Sequence, residues 1–279
     1  MNKIFLSIAL IIVMLVAMIC SIFAQPITGK IVIQSSNQPA EYVNVGLMGK
    51  GIGTVSDQFG NFSIEIPASY DQELLYFSRV GYSNFSIKVS ELRNQQNIVI
   101  KLQELRVSLN EVSVIPKEYK KKTLGVTTKS KSVVAGFNNF KLGYELGLLM
   151  KINKPTYIQK VHINFASCTY DSIFLRVNIY KKMGDMDFVN ILTEPIYIHL
   201  PKKDLNQTVT IDLISKYIRV EDDFLITLEN VRDMGDGELF FCASLISQAT
   251  YFRETSQAKW EKMPAPIGIS ISTEVETEK

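Results

Sequence analysis

The sequence predicts an all-β protein built as two consecutive β-sandwiches. Three observations carry this reading. Short runs alternating apolar and polar residues recur along most of the 279 residues. Turn residues punctuate those runs. No segment sustains the 3.6-residue apolar period of a long helix. The most informative stretch is Gly53-Thr-Val-Ser-Asp-Gln-Phe-Gly-Asn-Phe-Ser-Ile-Glu-Ile-Pro67. A short segment enters an Asp-x-x-Gly turn, and a strand follows with Phe62, Ile64 and Ile66 on one face and Asn61, Ser63 and Glu65 on the other. Asp57 has the short carboxylate that bonds backbone N–H groups two residues on, and Gly60 can take a positive φ without a Cβ clash.

The first half, residues 25–115, divides into strands near Ile27–Ile33, Val43–Met48, Asn61–Ile66, Leu74–Val80, Phe85–Val89 and Ile98–Leu102. Val43/Val45/Leu47, Phe85/Ile87/Val89 and Ile98/Ile100/Leu102 alternate with polar residues, the mark of a sheet with one buried face. Turn signals stand between them at Asn37-Gln-Pro39, Gly49-Lys-Gly51, Asp57–Gly60, Asp71 and Gly81. Gly49-Lys-Gly-Ile-Gly-Thr54 lacks the spacing of a phosphate-binding loop and reads as a hairpin connection.

These residues resemble the carboxypeptidase regulatory-like domain over about residues 27–103. Its pattern is a glycine in the first strand, then Pro-x-x-x-Val-x-Val, then Gly-Thr-x-Thr-Asp-x-x-Gly-x-Phe-x-Ile, and later a strand ending in Val-Gly-Tyr. Gly29, Pro39, Val43, Val45, Gly53–Ile64 and Leu75–Tyr82 fit it, with Ser56 in place of the usual threonine. The resemblance implies a transthyretin-like β-sandwich in an exported protein of Gram-negative type. In the carboxypeptidases that give the family its name, the domain is an accessory without catalytic residues. Such domains also precede TonB-dependent outer-membrane receptors, where a Leu-x-Glu-Val-x-Val segment leads into plug and barrel. Leu109-Asn-Glu-Val-Ser-Val114 is similar to that junction, but the sequence that follows is too short for a barrel.

Residues 1–24 carry Lys3, a long apolar run from Ile4 to Ile19, and Ala24 before Gln25. That is the pattern of a secretory signal peptide cleaved after Ala24. Ile19 precedes Cys20 where lipid attachment needs a small residue, so a lipoprotein is not expected. The expected location is periplasmic, outer-membrane-associated or extracellular, with membrane contact only through this segment if it is uncleaved.

Formal net charge is +2, from 30 basic and 28 acidic residues, too near neutral to imply nucleic acid. Apolar residues are 46% and charged residues 21%, which suits a packed core rather than disorder. Past the signal, two cysteines remain, Cys168 and Cys242. Both fall on the polar parity of their strands. An exported protein would permit a disulfide, but two unpaired thiols are expected.

Residues 116–123, with Pro116-Lys-Glu-Tyr-Lys-Lys-Lys122, read as a solvated basic linker. Residues 124–275 read as a second, jelly-roll-like sandwich of about eight strands. In it Val161/Ile163/Phe165, Ile173/Leu175/Val177/Ile179, Val209/Ile211/Leu213, Phe224/Ile226/Leu228 and Ile267/Ile269/Ile271 alternate with polar neighbours, and Leu213–Tyr217 suits one helical turn. The tail is residues 276–279. Arg176-x-Asn178-x-Tyr180 is similar to a motif in the second half of other two-part exported bacterial proteins, without an established activity.

No catalytic, cofactor or metal site is assigned. His162 and His199 sit at polar positions of strands, so both read as solvent-facing. No His-Glu-x-x-His and no Gly-x-Ser-x-Gly occurs. Asp185 and Asp187, and the loop bearing Asp233, Asp236 and Glu238, concentrate carboxylates. The second loop would offer oxygens to calcium, but hairpin turns need Asp and Gly for backbone reasons alone. Tyr251, Phe252 and Trp260, with Arg253 between, form an aromatic cluster; Lys259, Glu261 and Lys262 place Trp260 at a part-exposed rim. The expected function is a non-catalytic cell-envelope module that binds or scaffolds protein or glycan. The rival is a metal-dependent hydrolase, which requires His162, His199 and acidic side chains to meet in one pocket.

Overall fold

The computed structural model describes residues 25–93, 95–105, 118–138, 141–245 and 247–278. The expected signal segment, the Leu109–Val114 junction and the start of the expected linker lie outside the described residues. The first half contains β1 (Ile27–Ile33), β2 (Asn44–Leu47), β3 (Ile52–Val55), β4 (Asn61–Ile64), β5 (Leu74–Ser78), β6 (Phe85–Lys88), the one-turn helix α1 (Val89–Arg93) and β7 (Ile98–Leu102). They form two sheets, ordered β4-β1-β7 and β3-β2-β5-β6, with only the β1–β7 pair parallel. The inner faces meet in one core around Ile31, Val45, Leu75, Phe77 and Leu102. This is the β-sandwich that the alternation predicts.

The Asp57 turn has its expected chemistry. Asp57 Oδ1 accepts from the N–H groups of Phe59 and Asn61, each at 2.8 Å, and Gly60 sits at φ +77°. The Gly49–Gly51 stretch is the β2–β3 hairpin connection. One strand departs from expectation. Phe85/Ile87/Val89 was expected to share a buried face, yet Phe85 is exposed and Val89 opens α1. β6 is an edge strand, so only β5 flanks it, and its outer residues face water.

The second half begins with β8 (Tyr119–Gly125), β9 (Val134–Asn138), β10 (Glu145–Met150), β11 (Thr156–Ile163), β12 (Phe165–Cys168) and β13 (Ser172–Lys182). It continues through β14 (Phe188–Asn190), β15 (Ile196–Pro201), β16 (Val209–Asp212), β17 (Arg219–Val220) and β18 (Phe224–Asn230). It ends with β19 (Glu238–Ser244), β20 (Thr250–Arg253), β21 (Glu261–Lys262), β22 (Gly268–Ile269) and β23 (Ile271–Glu278). These strands outnumber the eight or so expected, because several span only two to four residues, too few to show a period.

One sheet runs β14-β13-β18-β10-β20-β21, with β15 also on β13. A second runs β16-β11-β23-β8, with β17 on β11, and a third β12-β19-β22, with β9 on β19. Side chains from all three meet in one core, from Leu146, Leu148 and Met150 on β10 to Phe241 on β19 and Ile271 on β23. Ile214–Lys216 forms the single turn expected near there, as a 3₁₀ turn.

The lysine run is not a free linker over its described part. Lys120, Lys121 and Lys122 lie in β8, opposite Thr277, Glu276 and Val275 of β23. The alternating acids of β23 give the lysines a partner strand of opposite charge. Glu276 and Glu278, expected in a tail, belong to the same pair. Cys168 and Cys242 are free thiols on the adjacent strands β12 and β19, and Cys242 is buried rather than outward-facing. Cys168 lies opposite Leu239, out of step with Cys242. Burial pushes both thiols up from their ordinary value.

Candidate binding cleft

β13 carries Arg176, Asn178 and Tyr180 on one face, with Leu175, Val177 and Ile179 facing the core on the other. Antiparallel register aligns that polar face with its neighbours. Arg176 lies opposite Glu229 on β18, Glu229 opposite Glu145 on β10, and Glu145 opposite Arg253 on β20. An Arg–Glu–Glu–Arg row therefore crosses four strands and sums to zero charge. The polar face is buried as fully as the apolar one: Arg176 is 2% exposed and Asn178 1%.

The row is tied together by hydrogen bonds. Arg176 Nε and Nη2 donate to Glu229 Oε2 at 3.0 and 2.8 Å. Arg253 Nε donates to Glu145 Oε2 at 2.7 Å. Asn178 Nδ2 bridges the two carboxylates, 2.9 Å from Glu145 Oε1 and 2.7 Å from Glu229 Oε2. Tyr180 donates to Glu145 Oε2, and Thr227 donates to Glu145 Oε1. Asn190 Nδ2 in turn donates to Asn178 Oδ1 at 3.0 Å. Each buried carboxylate thus has a guanidinium beside it, which is what makes such burial tolerable.

Burial pushes the Glu145 carboxyl above its ordinary value, and the Arg253 guanidinium pulls it back in part. Burial likewise raises the Tyr180 phenol well above its own. A group whose folded-state value is raised stabilises fully below its unfolded value and loses that contribution as pH rises through the folded value. Subtracting the unfolding free energy of Glu145→Gln from that of the native chain should give a difference that falls as pH rises above 4.5, the unshifted value. Denaturant titrations across that range check it; a difference that grows with pH would refute the assignment.

The first half covers this row. Arg176 Nη1 donates to Tyr42 O at 2.7 Å, and Nη2 donates to Asn44 Oδ1. Tyr42, Phe174 and Tyr197 pack as a ring triad with centroids 5.1–5.4 Å apart. Gln257 Nε2 donates to Ser78 Oγ at 2.7 Å, and Gly49 N–H donates to Gln257 O at 2.8 Å. Backbone approaches so closely that a Cβ on Gly53 would lie 2.2 Å from Ser256 O.

Beside this seam lies a cleft of about 1260 Å³. The first half supplies Asn44, Met48, Tyr76, Arg79 and Tyr82 to its wall. The second half supplies the ends of the buried row, Arg176, Asn178, Tyr180 and Arg253, with Phe188 and Trp260. Trp260 meets Tyr180 and Phe188 edge-on, at centroid distances of 5.5 and 5.6 Å, and the Arg253 guanidinium lies 4.9 Å from its ring. Trp260 is half-buried at a rim, as its charged neighbours suggest. Tyr251 is instead buried against Phe188, and Phe252 stacks on Tyr144, so the expected platform reduces to Trp260.

The other sequence candidates are dispersed. His162 is on β11, where Nδ1 is 2.9 Å from Thr210 Oγ1 and Nε2 3.1 Å from Glu274 Oε1. His199 is exposed on β15, in a different sheet, with its ring against Phe174. Neither lines the cleft. Asp187 does, while Asp185 pairs with Lys262 at 3.3 Å. Asp233 Oδ1 is engaged by the Gly235 N–H of its own turn. Among the described residues, no three His, Cys, Asp or Glu side chains group as metal ligands would. No helix of the described residues is long and apolar enough to cross a membrane.

Sequence reasoning missed Glu145 and Glu229. A signal was available: Glu145 opens and Glu229 nearly closes a strand rich in apolar residues, Glu-Leu-Gly-Leu-Leu-Met150 and Phe224-Leu-Ile-Thr-Leu-Glu-Asn230, and each is the one charged residue in its strand. A lone carboxylate in such a run is buried and needs a cation.

Comparison with known proteins bears on the first half. No curated protein matches the chain. Among solved structures, similarity is found to the VP2 subviral particle of infectious bursal disease virus, at 7% identity and a TM-score of 0.21, over 90% of this chain and 64% of that one. The structure of the Gt strain of that virus gives 8% identity and a TM-score of 0.20, over 91% of this chain and 64% of that one. The chain thus spans less than two thirds of the length of either, and likeness this weak carries no argument. The family match is of a different kind, since it falls on the sandwich and turn described above. Residues 27–114 match the family model of the CarboxypepD_reg-like domain, a regulatory-like rather than a catalytic one.

Proposed function

We propose that the chain is an exported, non-catalytic module of the cell envelope that binds or scaffolds a protein or glycan through the cleft between its halves. The carrying observation is the cleft floor. Its charges balance one another, in the Arg176–Glu229 and Arg253–Glu145 pairs, so they build a rigid base without net charge rather than a poised acid or nucleophile. The half-buried Trp260 beside that floor is the kind of rigid aromatic contact that ligands use. The regulatory-like family of residues 27–114 agrees with a binding role. Periplasmic, outer-membrane-associated and extracellular placement all suit it.

Trp260 is the only tryptophan, so its fluorescence reports the cleft directly. Titration with solubilised envelope glycans and with peptide pools should change its emission saturably. Hydrogen exchange should slow over 186–190 and 257–260. Turnover of any of these probes, lost on substitution of a cleft residue, would sink the non-catalytic reading.

A further inference from the structure

Three of the exposed large apolar side chains converge on this cleft. Met48 is 56% exposed, Leu105 53% and Val189 51%, and all three line it. Scattered apolar exposure is ordinary, but exposure gathered at the mouth of one cleft marks an interaction surface. Met186 joins Met48 in the wall. Methionine side chains are flexible and polarisable, which suits varied apolar side chains better than the fixed outline of a sugar ring.

The charged part of the wall is biased toward cations. Arg79, Arg176, Arg253 and Lys259 line it, against Asp187 as the carboxylate. Arg176 is neutralised by Glu229. Arg253 is not fully used. It is 9% exposed, and its Nε and Nη2 are taken by Glu145 and Tyr180. Among the described residues no acceptor meets its Nη1. Arg79 has Glu41 as its carboxylate, 3.5 Å away, and stacks on Tyr82 in the wall. The neutral polar groups of the wall, among them Asn44, Asn84, Asn190 and Gln257, offer donors and acceptors alike, so its bias is set by the charged side chains. The wall suits carboxylates held between apolar groups.

We infer that the cleft receives a protein segment that presents apolar side chains interspersed with carboxylates, the carboxylates facing Arg253 Nη1 and Lys259 and the apolar groups meeting Met48, Val189 and Trp260. This rests on the cleft reading above and names its ligand class.

The test uses the full chain and labelled peptides of one Leu/Met/Phe composition, interspersed with Glu, Gln or Lys. Anisotropy and Trp260 emission are read together. The Glu peptide should bind about tenfold more tightly than the Gln peptide, a difference easily resolved. The preference should shrink as salt is raised, because charges near the surface are screened. Lys259 is exposed, so Lys259→Glu should keep the fold and remove the preference for Glu; Val189→Asn, which adds no charge, should weaken the Glu and Gln peptides alike. Equal binding of Glu and Gln peptides, or an unchanged preference in Lys259→Glu, overturns the inference. Binding of neutral or acidic oligosaccharides without peptide binding overturns it and leaves the cleft reading standing. If no peptide or glycan alters Trp260 emission, both fall.

Discussion

Replacing Arg176 by leucine is expected to cost about 3–5 kcal/mol of unfolding free energy, the range for breaking a buried ion pair. The substitution strips Glu229 of its guanidinium inside the sheet, and Glu229 is wholly buried. It also removes the donors to Tyr42 O and Asn44 Oδ1, so the first half loses its charged anchor to the second. Denaturant unfolding should show both effects: a lower midpoint, and a first-half transition no longer coincident with the Trp260 signal. Most of the loss comes from an abandoned carboxylate, so Arg176→Leu with Glu229→Leu should be far less damaging than Arg176→Leu alone. A single variant within about 0.5 kcal/mol of the native chain, the usual size of a surface change, would refute the row's structural role.

Gly60→Val is the second large effect. At φ +77° a β-branched residue is strained, at about 1–3 kcal/mol. A Cβ there would also lie 2.3 Å from Ile31 O on β1, and crowding of this kind adds about 1–3 kcal/mol. The thermal midpoint of the first half should fall accordingly. Gly60→Ala, with the same backbone problem and less bulk, should fall between. Because Gly60 lies far along the chain from β8–β23 and in the other core, the second half should retain its fold. An unaltered midpoint in Gly60→Val would overturn the turn geometry.

The sandwich of the first half was legible because its signals are local. Asp57, Gly60 and the alternation of Phe62 and Ile64 act within a few residues, and a turn of that chemistry adopts its form wherever it is placed. The cleft was not legible, for a physical reason. Alternation shows that Arg176 and Asn178 point away from Leu175 and Val177, and that is correct; what covers the far side depends on residues more than 130 positions earlier, Tyr42 and Asn44. Parity separates two faces of a strand but cannot say that both are buried. The lysines of β8 are exposed, as their clustering suggests, but their place in a sheet shows only when the acids of β23, some 150 residues later, are laid beside them. Trp260 was placed at a rim from its charged neighbours, yet its partners Tyr180 and Phe188 come from a separate part of the chain.

The place of β23 bears on how the second half is made. Ile271–Glu278 lies between β11 and β8, an interior position in its sheet, though it is the last of these strands in the sequence. Among the described residues β8 pairs with no other strand, so the first strand of this half has its place in the sheet only once the last, some 150 residues later in the chain, lies against β11. Pairings of such long sequence separation are the slow ones to form.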